Sequence, residues 1–196
     1  MARRPLLYLA AAGAALLSFG GCLALKPHQM DNSAIEAYAT AAKKTDSGTT
    51  APGTSTQQGI ERWKALLADL SEENIRGKTS SVYADKFFFN DTLKTLHGPE
   101  ELEDYLLETA EMLQYGRVSY EDVAISGDDV YIRWRMVYRS KKLNKKQDID
   151  TIGVSHLRFD SAGKVVLHQD FWDSTRGIFE HVPLVGSGIR AVKKRL

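Results

Sequence analysis

An alternation of apolar and polar residues with period two dominates the second half of the chain. In the segment DVYIRWRMVYRS one face is apolar and the other carries arginines, as expected of a strand with one buried side. RVSYEDVAI, QDIDTIGVSHLRFD and GKVVLHQDFWD are further strand candidates, separated by polar turns. We predict that the core face of DVYIRWRMVYRS consists of Val130, Ile132, Trp134, Met136 and Tyr138.

Helical spacing dominates the part of the chain before these strands. Apolar residues recur with a helical period from Ile60 to Leu70, and Pro99 suits the first position of a later helix that Gly116 is expected to end. Between them, we predict a short helix over 74–84 and a short strand in DKFFFND. Helices followed by an antiparallel meander predict an α+β fold with the helices on one face of a sheet.

The first residues, MARRPLLYLAAAGAALLSFGGC, have the layout of a secretory signal peptide over 1–22. Cys22, the sole cysteine, follows small residues and resembles the acylated cysteine of a bacterial lipoprotein. We therefore expect a protein anchored in the cell envelope, outside the cytoplasm. The alternatives are an uncleaved membrane anchor, since Leu6–Leu25 gives about 20 largely apolar residues, and a cytoplasmic protein.

The remainder divides into a predicted flexible tether over 23–59 and one domain over 60–196. The tether is rich in Thr, Ser, Gly and Gln, although NSAIEAYATAAKK within it has the pattern of a short helix. The formal net charge of +1 gives no indication of a nucleic-acid partner. The histidines lack zinc-ligand spacing, and there is no phosphate-binding loop, so we expect neither a metal nor a cofactor.

For the last strand candidate, VVLHQDFWD, the sequence pattern does not show which face points inward. One side carries Val166, His168, Asp170 and Trp172, and the other side carries Val165, Leu167, Gln169, Phe171 and Asp173. Both sides are mixed in polarity, so alternation alone does not choose between them.

A resemblance to a known family makes that choice. VYADKFFFNDTLKTLHGPEELEDYL and LRFDSAGKVVLHQDFWD resemble the SnoaL-like branch of the nuclear transport factor two superfamily, over about Ile60–Asp173. The resemblance implies a cone, in which a strongly curved antiparallel sheet wraps N-terminal helices and leaves an apolar pocket. It also implies that His168, Asp170 and Trp172 face that pocket. Members of this superfamily differ widely in activity, so the fold alone does not give the function.

The ketosteroid isomerases of this superfamily supply a second set of expectations. Their general-base aspartate follows the first short strand, where this chain has Asp91. At their two oxyanion-stabilising positions this chain has Trp63 and Ser155. Neither side chain is a strongly acidic donor, which disfavours steroid isomerisation. The SnoaL-like polyketide cyclases, which rely on acid–base residues within the pocket, are the closer resemblance.

We therefore predict a membrane-tethered cone that binds a small apolar or amphipathic molecule without catalysis. Its predicted ligand contacts are Trp63, Trp134, Ser155 and Trp172. The alternative is an acid–base enzyme, of isomerase, cyclase or hydrolase type, acting on a lipid-like or polyketide-like substrate through Asp170, His168 and Asp91.

Each of these residues also has a structural interpretation. His168 and Asp170 would form a buried pair that satisfies its own hydrogen bonds, and Asp91 would be a turn residue. The open sheet face is a candidate surface for a homodimer. The basic C-terminal helix, with Ile189 and Val192 on a narrow apolar stripe, is either a solvated cap or a contact for anionic lipid.

Overall fold

The architecture comes from a computed structural model, which describes residues 31–43, 53–144 and 146–196. The predicted signal segment 1–22, with Cys22, lies outside these residues, and so does part of the predicted tether. Within them, no helix is both long and apolar enough to cross a bilayer. Ala34–Leu196 forms one compact unit, which carries the sheet and the helices around it.

Along the chain, helices precede the strands, follow them and in one case separate them. Those before the strands are α1 (Ser33–Ala41), α2 (Thr54–Leu67), α3 (Glu72–Ile75) and α4 (Thr79–Val82). The longer helix α5 (Pro99–Met112) separates the second and third strands. After the sheet come α6 (Ser174–Gly177), a 3₁₀ turn (Phe179–His181) and α7 (Val185–Lys193).

Within the described residues the sheet has six strands, in the order β2-β1-β6-β5-β4-β3. They are β1 (Tyr83–Asn90), β2 (Thr95–Leu96), β3 (Leu113–Ser126), β4 (Asp129–Ser140), β5 (Ile149–Phe159) and β6 (Val165–Trp172). All neighbours are antiparallel except β1 and β6, which are parallel. The sheet is curved and does not close, which confirms the predicted α+β cone.

The core lies between the helices and the inner face of the sheet, the face that β4 alternation predicted. Val130 and Ile132 are fully buried, and they belong to the same apolar cluster as Ile60 and Trp63 of α2 and Leu102 of α5. Burial of a large apolar side chain is worth about 1.5–3 kcal/mol, so this cluster holds both layers together.

Three predicted boundaries differ from the structure. Helix α2, which was predicted to begin at Ile60, begins at Thr54, inside the predicted tether. The helix predicted over 74–84 is interrupted at Gly77, where φ is +73°, and its last residues belong to β1. The helix predicted to end at Gly116 ends at Met112, because β3 begins at the next residue and includes Gly116. The glycine is needed there for close packing instead, since a Cβ at this position would lie 3.2 Å from Leu70 Cβ.

Helix α1, also within the predicted tether, packs on the outer face of the sheet, the face away from α2 and α5. The Tyr38 hydroxyl hydrogen-bonds His156 Nδ1 at 2.9 Å, and His156 Nε2 lies 2.9 Å from Asp129 Oδ1. Arg158 donates to the same oxygen at 2.5 Å and to the Ala42 carbonyl, at the end of the helix, at 2.8 Å. This cluster, which we call the outer polar cluster, joins α1 to β4 and β5.

The outer polar cluster predicts a loss of stability in mild acid. Burial lowers the pKa of His156 below its ordinary value, although Asp129 favours the charged ring. The unfolded chain takes up a proton at this histidine near pH 6.5 and the folded chain resists it. The stabilisation is therefore complete above about pH 6.5, and the free energy of unfolding falls as the pH decreases below that value. Urea midpoints measured from pH 7.5 to 5 should fall, and His156→Gln should flatten that slope.

Asp129 acts in the same direction at lower pH. Burial alone would raise its pKa, but hydrogen bonds from Arg158 and His156 and their charges hold the pKa below its ordinary value. Its stabilisation is thus present above about pH 3.9 and is lost as the pH falls below that value.

The control variant for His156→Gln is His181→Gln, on the 3₁₀ turn. A His156→Gln protein with the same slope as the parent between pH 6.5 and 5 would contradict the assignment.

Candidate functional site

A cavity of about 390 Å³ lies between the inner face of the sheet and helices α2 and α5. Its wall is mostly apolar, and every tryptophan of the chain contributes to it. The predicted site residues of the cone all line this cavity: Asp91, His168, Asp170, Trp63, Trp134, Ser155 and Trp172. The face of β6 that carries His168 and Asp170 is thus the inner face.

A first chain of hydrogen bonds runs through the wall from α2 to β6. Trp63 Nε1 donates to the Tyr83 hydroxyl at 3.1 Å, and that hydroxyl lies 2.8 Å from His168 Nδ1. His168 Nε2 lies 2.8 Å from Asp170 Oδ1. An indole nitrogen only donates, so the Tyr83 hydroxyl accepts from Trp63 and donates its own hydrogen bond to His168 Nδ1. A neutral imidazole therefore carries its proton on Nε2 and donates it to Asp170.

A second chain reaches the same carboxylate oxygen from the neighbouring strands. Trp134 Nε1 donates to Ser155 Oγ at 2.9 Å, and Ser155 Oγ donates to Asp170 Oδ1 at 2.5 Å. The fixed direction of the indole bond again orients the hydroxyl toward the carboxylate. Asp170 Oδ1 thus terminates both chains, whereas Oδ2 has no hydrogen-bond partner in the part of the chain that the structure describes.

Strand register explains why the second chain closes. Ser155 of β5 is directly opposite Asp170 of β6, and Trp134 of β4 is opposite Gly153. The indole of Trp134 lies across Gly153, so that a Cβ there would be 2.3 Å from Trp134 Cζ2. The absence of a side chain at Gly153 lets Trp134 Nε1 reach Ser155.

Asp91 follows β1, and its two carboxylate oxygens have different surroundings. Its Oδ1 accepts the backbone N–H groups of Leu93 and Lys94, as in an ordinary turn, at 2.9 and 2.8 Å. Its Oδ2 accepts the Tyr105 hydroxyl at 2.5 Å inside the cavity. Burial raises the pKa of the Asp91 carboxyl; hydrogen bonds from Tyr105 and the two amides oppose that effect, and the charge of Asp170 adds to it.

The cavity offers a ligand very little hydrogen-bond donation. Its tyrosine, tryptophan and histidine donors are occupied by protein acceptors; Tyr120, for example, donates to the Lys64 carbonyl at 3.1 Å. No lysine or arginine lines the cavity within the described ranges. In those same ranges, no group of three or more potential metal ligands comes together. Among the described residues, Asp170 Oδ2 is the carboxylate oxygen of the cavity that has no hydrogen-bond partner.

Tyr83 and Tyr105 are site residues that sequence reasoning missed. Tyr83, at the start of β1, is fully buried, and its burial raises its pKa well above the ordinary value. Tyr105 follows Leu102 at helical spacing on α5, which was a signal for its inward orientation. The tyrosine of VYADKFFFND carried no comparable signal, because its partner His168 lies in a strand far along the sequence.

Comparison with known proteins identifies the family to which this domain is similar. The profile of the SnoaL-like domain family matches residues 63–168, which is more than half of the chain. No curated protein shows a significant match to the sequence.

Three similar solved structures show the breadth of the fold. An LEH-like epoxide hydrolase from M. tuberculosis has 15% identity and a TM-score of 0.51, with coverage of 72% of this chain and 98% of that chain. A Catenulispora acidiphila protein with a ketosteroid isomerase-like fold, solved in complex with trimethylamine, has 16% identity and a TM-score of 0.54, covering 64% and 92%. A candidate SnoaL-like polyketide cyclase from Jannaschia sp. CCS1 has 16% identity and a TM-score of 0.50, covering 63% and 91%. At these identities the likeness shows the fold alone.

Proposed function

This chain belongs to the SnoaL-like domain family, and we propose that its cone binds a small amphipathic molecule. The apolar body of the ligand fills the cavity, and a hydrogen-bond donor on the ligand contacts Asp170. The observation that carries the proposal is the free Oδ2 atom of Asp170 on a mostly apolar wall whose tyrosine, tryptophan and histidine donors already have protein acceptors.

The energetics of the free carboxylate oxygen favour a donor ligand. The side chain of Asp170 is 16% exposed, and its Oδ2 is accessible from the cavity. An apolar ligand that covered this oxygen would leave a charged acceptor without a partner, which costs more than about 1–3 kcal/mol. A ligand hydroxyl or ammonium group at Oδ2 would avoid that cost by donating a hydrogen bond. The cavity volume of about 390 Å³ falls within the range of about 300–1,000 Å³ that small-molecule sites occupy.

The hydrogen bonds of the cavity wall also favour binding over oxyanion chemistry. Trp63 and Ser155 occupy the positions that resemble the oxyanion donors of ketosteroid isomerases. Trp63 donates to Tyr83 and Ser155 donates to Asp170, so both donors are already occupied. A developing oxyanion needs preorganised donors aimed at it. The cavity wall instead offers an acceptor.

The proposal predicts that Asp170→Asn reverses the polarity that the cavity prefers. The amide oxygen should take the place of Oδ1, which accepts from Ser155 and His168, and the amide NH₂ group should then face the cavity. We expect straight-chain primary amines and alcohols to bind about 10–100-fold more weakly to the variant, equivalent to about 1.4–2.7 kcal/mol, and methyl ketones of equal length to bind more tightly. Tryptophan fluorescence is the measurement, because all three tryptophans line the cavity.

The matched control is Asp150→Asn, which removes an exposed carboxylate paired with Arg135 outside the cavity. It should leave every affinity unchanged. Equal binding of amines, alcohols and ketones to the parent protein, or an Asp170→Asn variant that retains the parent's preference, would refute the proposal.

Acid–base catalysis is the second candidate, and it is favoured by the same oxygen. A general base needs a free lone pair within reach of the proton that it removes, and Oδ2 of Asp170 is placed for this role. The likeness in fold to proteins described as a polyketide cyclase and an epoxide hydrolase agrees with such chemistry. Asp91, with its raised pKa, would be the second carboxyl group of the site.

A turnover experiment separates the two candidates. Protein isolated from its own cells is analysed by native mass spectrometry, and any small molecule it carries is identified and supplied in excess. A ligand that remains chemically unchanged after prolonged incubation supports binding alone. Conversion by the parent protein, lost in Asp170→Asn, supports catalysis.

We also propose that the domain acts in the cell envelope, tethered through the N-terminal segment by an acylated Cys22. The apolar run that precedes Cys22 in the sequence supports this location. A homodimer through the outer face of the sheet remains a proposal as well. Tyr38 of α1 packs edge-on against Phe171 on that face at 5.7 Å between ring centroids, so a second copy would have to share or displace this contact.

A further inference from the structure

Helix α7 presents most of an apolar stripe to solvent. The stripe follows helical spacing and continues just beyond the last helical residue, and its members are Val185, Ile189, Val192 and Leu196. Val185 is 49% exposed, Val192 59% and Leu196 is fully exposed. An ordinary surface helix turns such a stripe toward the core.

The contacts of α7 explain why the stripe faces outward. The helix packs through a different edge, where Gly186 is buried against the Glu180 carbonyl and leaves no room for a Cβ. Arg190 donates to that carbonyl at 2.8 Å, and Lys193 pairs with the Glu180 side chain at 2.5 Å. These contacts fix the rotation of the helix and leave Val185, Val192 and Leu196 exposed, whereas Ile189 is partly buried.

Basic residues border the stripe. Lys193 lies on one flank of Val192 on a helical projection, although its charge is already paired with Glu180. Lys194 and Arg195 follow directly after the last helical residue, in the turn that leads to Leu196, and are exposed. Long basic side chains beside a narrow apolar face are typical of helices that lie in the headgroup region of an anionic bilayer. From this charge complementarity we infer that α7 docks on an anionic lipid surface, with its apolar stripe in contact with the acyl boundary.

Docking of α7 would also determine which part of the cavity lies near the membrane. Ile178, directly before the 3₁₀ turn that precedes α7, lines the cavity, and so does Leu143. His181 of the 3₁₀ turn lies 3.4 Å from the Asn144 side chain, which joins the two segments. Docking of α7 therefore places this part of the cavity rim beside the membrane. This inference does not depend on the identity or the fate of the ligand.

The test places a fluorescent probe on the stripe of the full-length protein. A Cys22→Ser, Val192→Cys protein is labelled and mixed with vesicles that contain brominated lipid, either all zwitterionic or with 30 mol% phosphatidylglycerol. The control probe is at Ile152→Cys, which is similarly exposed, at 64%, but lies on β5. Even where the N-terminal segment itself binds vesicles, the difference between the two probe positions reports on α7.

We expect quenching at position 192 that exceeds quenching at 152 at least twofold, requires the anionic lipid and decreases at 0.5 M salt. Lys194→Glu with Arg195→Glu should lower the quenching at 192 to the level at 152, since each basic residue near an anionic surface contributes about fivefold in affinity. Equal quenching at the two positions, or quenching at 192 without dependence on lipid charge, would overturn the inference. A probe at 192 that becomes shielded with rising protein concentration in the absence of vesicles would do so too, because it would identify a second copy as the occupant.

Discussion

Replacing His168 with alanine is expected to lower the free energy of unfolding by about 4 kcal/mol. His168 is 1% exposed, and its ring lies 4.9 Å from that of Phe89 and 5.3 Å from that of Trp63. Truncation of a large buried side chain to alanine costs about 2–5 kcal/mol through lost contacts and a cavity. The Tyr83 hydroxyl would also lose its acceptor, which costs about 1–3 kcal/mol for a buried group.

Two comparison variants separate packing from hydrogen bonding. His168→Phe keeps an aromatic ring at the site but removes both ring nitrogens, so its loss should be about 2 kcal/mol, smaller than that of His168→Ala. His181→Ala, on the 3₁₀ turn, should change the free energy by less than about 0.5 kcal/mol. Urea denaturation followed by far-UV circular dichroism measures all three. A loss below about 1 kcal/mol in His168→Ala would show that the first hydrogen-bond chain does not hold the inner wall together.

Replacing Gly153 with alanine is expected to cost about 3 kcal/mol and to alter the site as well. The backbone at Gly153 has no positive φ, so the cost arises from contact with the Trp134 ring alone. The added Cβ would lie 2.3 Å from Trp134 Cζ2, and overpacking of this kind typically costs about 1–3 kcal/mol. A displaced indole also loses its bond to Ser155, worth about 1 kcal/mol.

The functional part of this prediction is a change in tryptophan emission and in amine binding. With Trp134 displaced, Ser155 is free to rotate away from Asp170, so one of the two chains that orient the carboxylate is lost. Gly188→Ala is the matched control, because no atom lies within 4 Å of a Cβ built at that helical position. It should be neutral or stabilise by up to about 1 kcal/mol. Equal free energies of unfolding for the two variants would contradict the prediction.

The inner face of the sheet could be predicted from sequence because alternation has a fixed period. Val130, Ile132 and Trp134 share a face of β4 in any folded arrangement, and their burial at 0%, 0% and 7% confirms that prediction. For β6 both faces were mixed, and only the family resemblance indicated that His168 and Asp170 face inward. Leu167 and Gln169, on its other face, are buried as well, so burial follows neither face exclusively.

The hydrogen-bond chains were beyond sequence analysis for a different reason. Alternation tells which residues share a face but not which strands are neighbours, and the pairing of β1 with β6 brings together residues far apart in the chain. Tyr83 and His168 therefore gave no joint pattern. Gly153 carried no signal either, since its role depends on the strand register that places it opposite Trp134.

The parallel pairing of β1 with β6 has a consequence for how the protein is made. β1 ends at Asn90 and soon pairs with the two-residue strand β2, but its neighbour on the other edge, β6, begins only at Val165. Ribosomal synthesis therefore leaves one edge of this apolar strand unpaired until most of the chain has emerged. Contacts of such sequence separation form slowly, and unpaired edges invite aggregation. A nascent chain of this protein should thus depend on a holding chaperone until its final hairpin is complete.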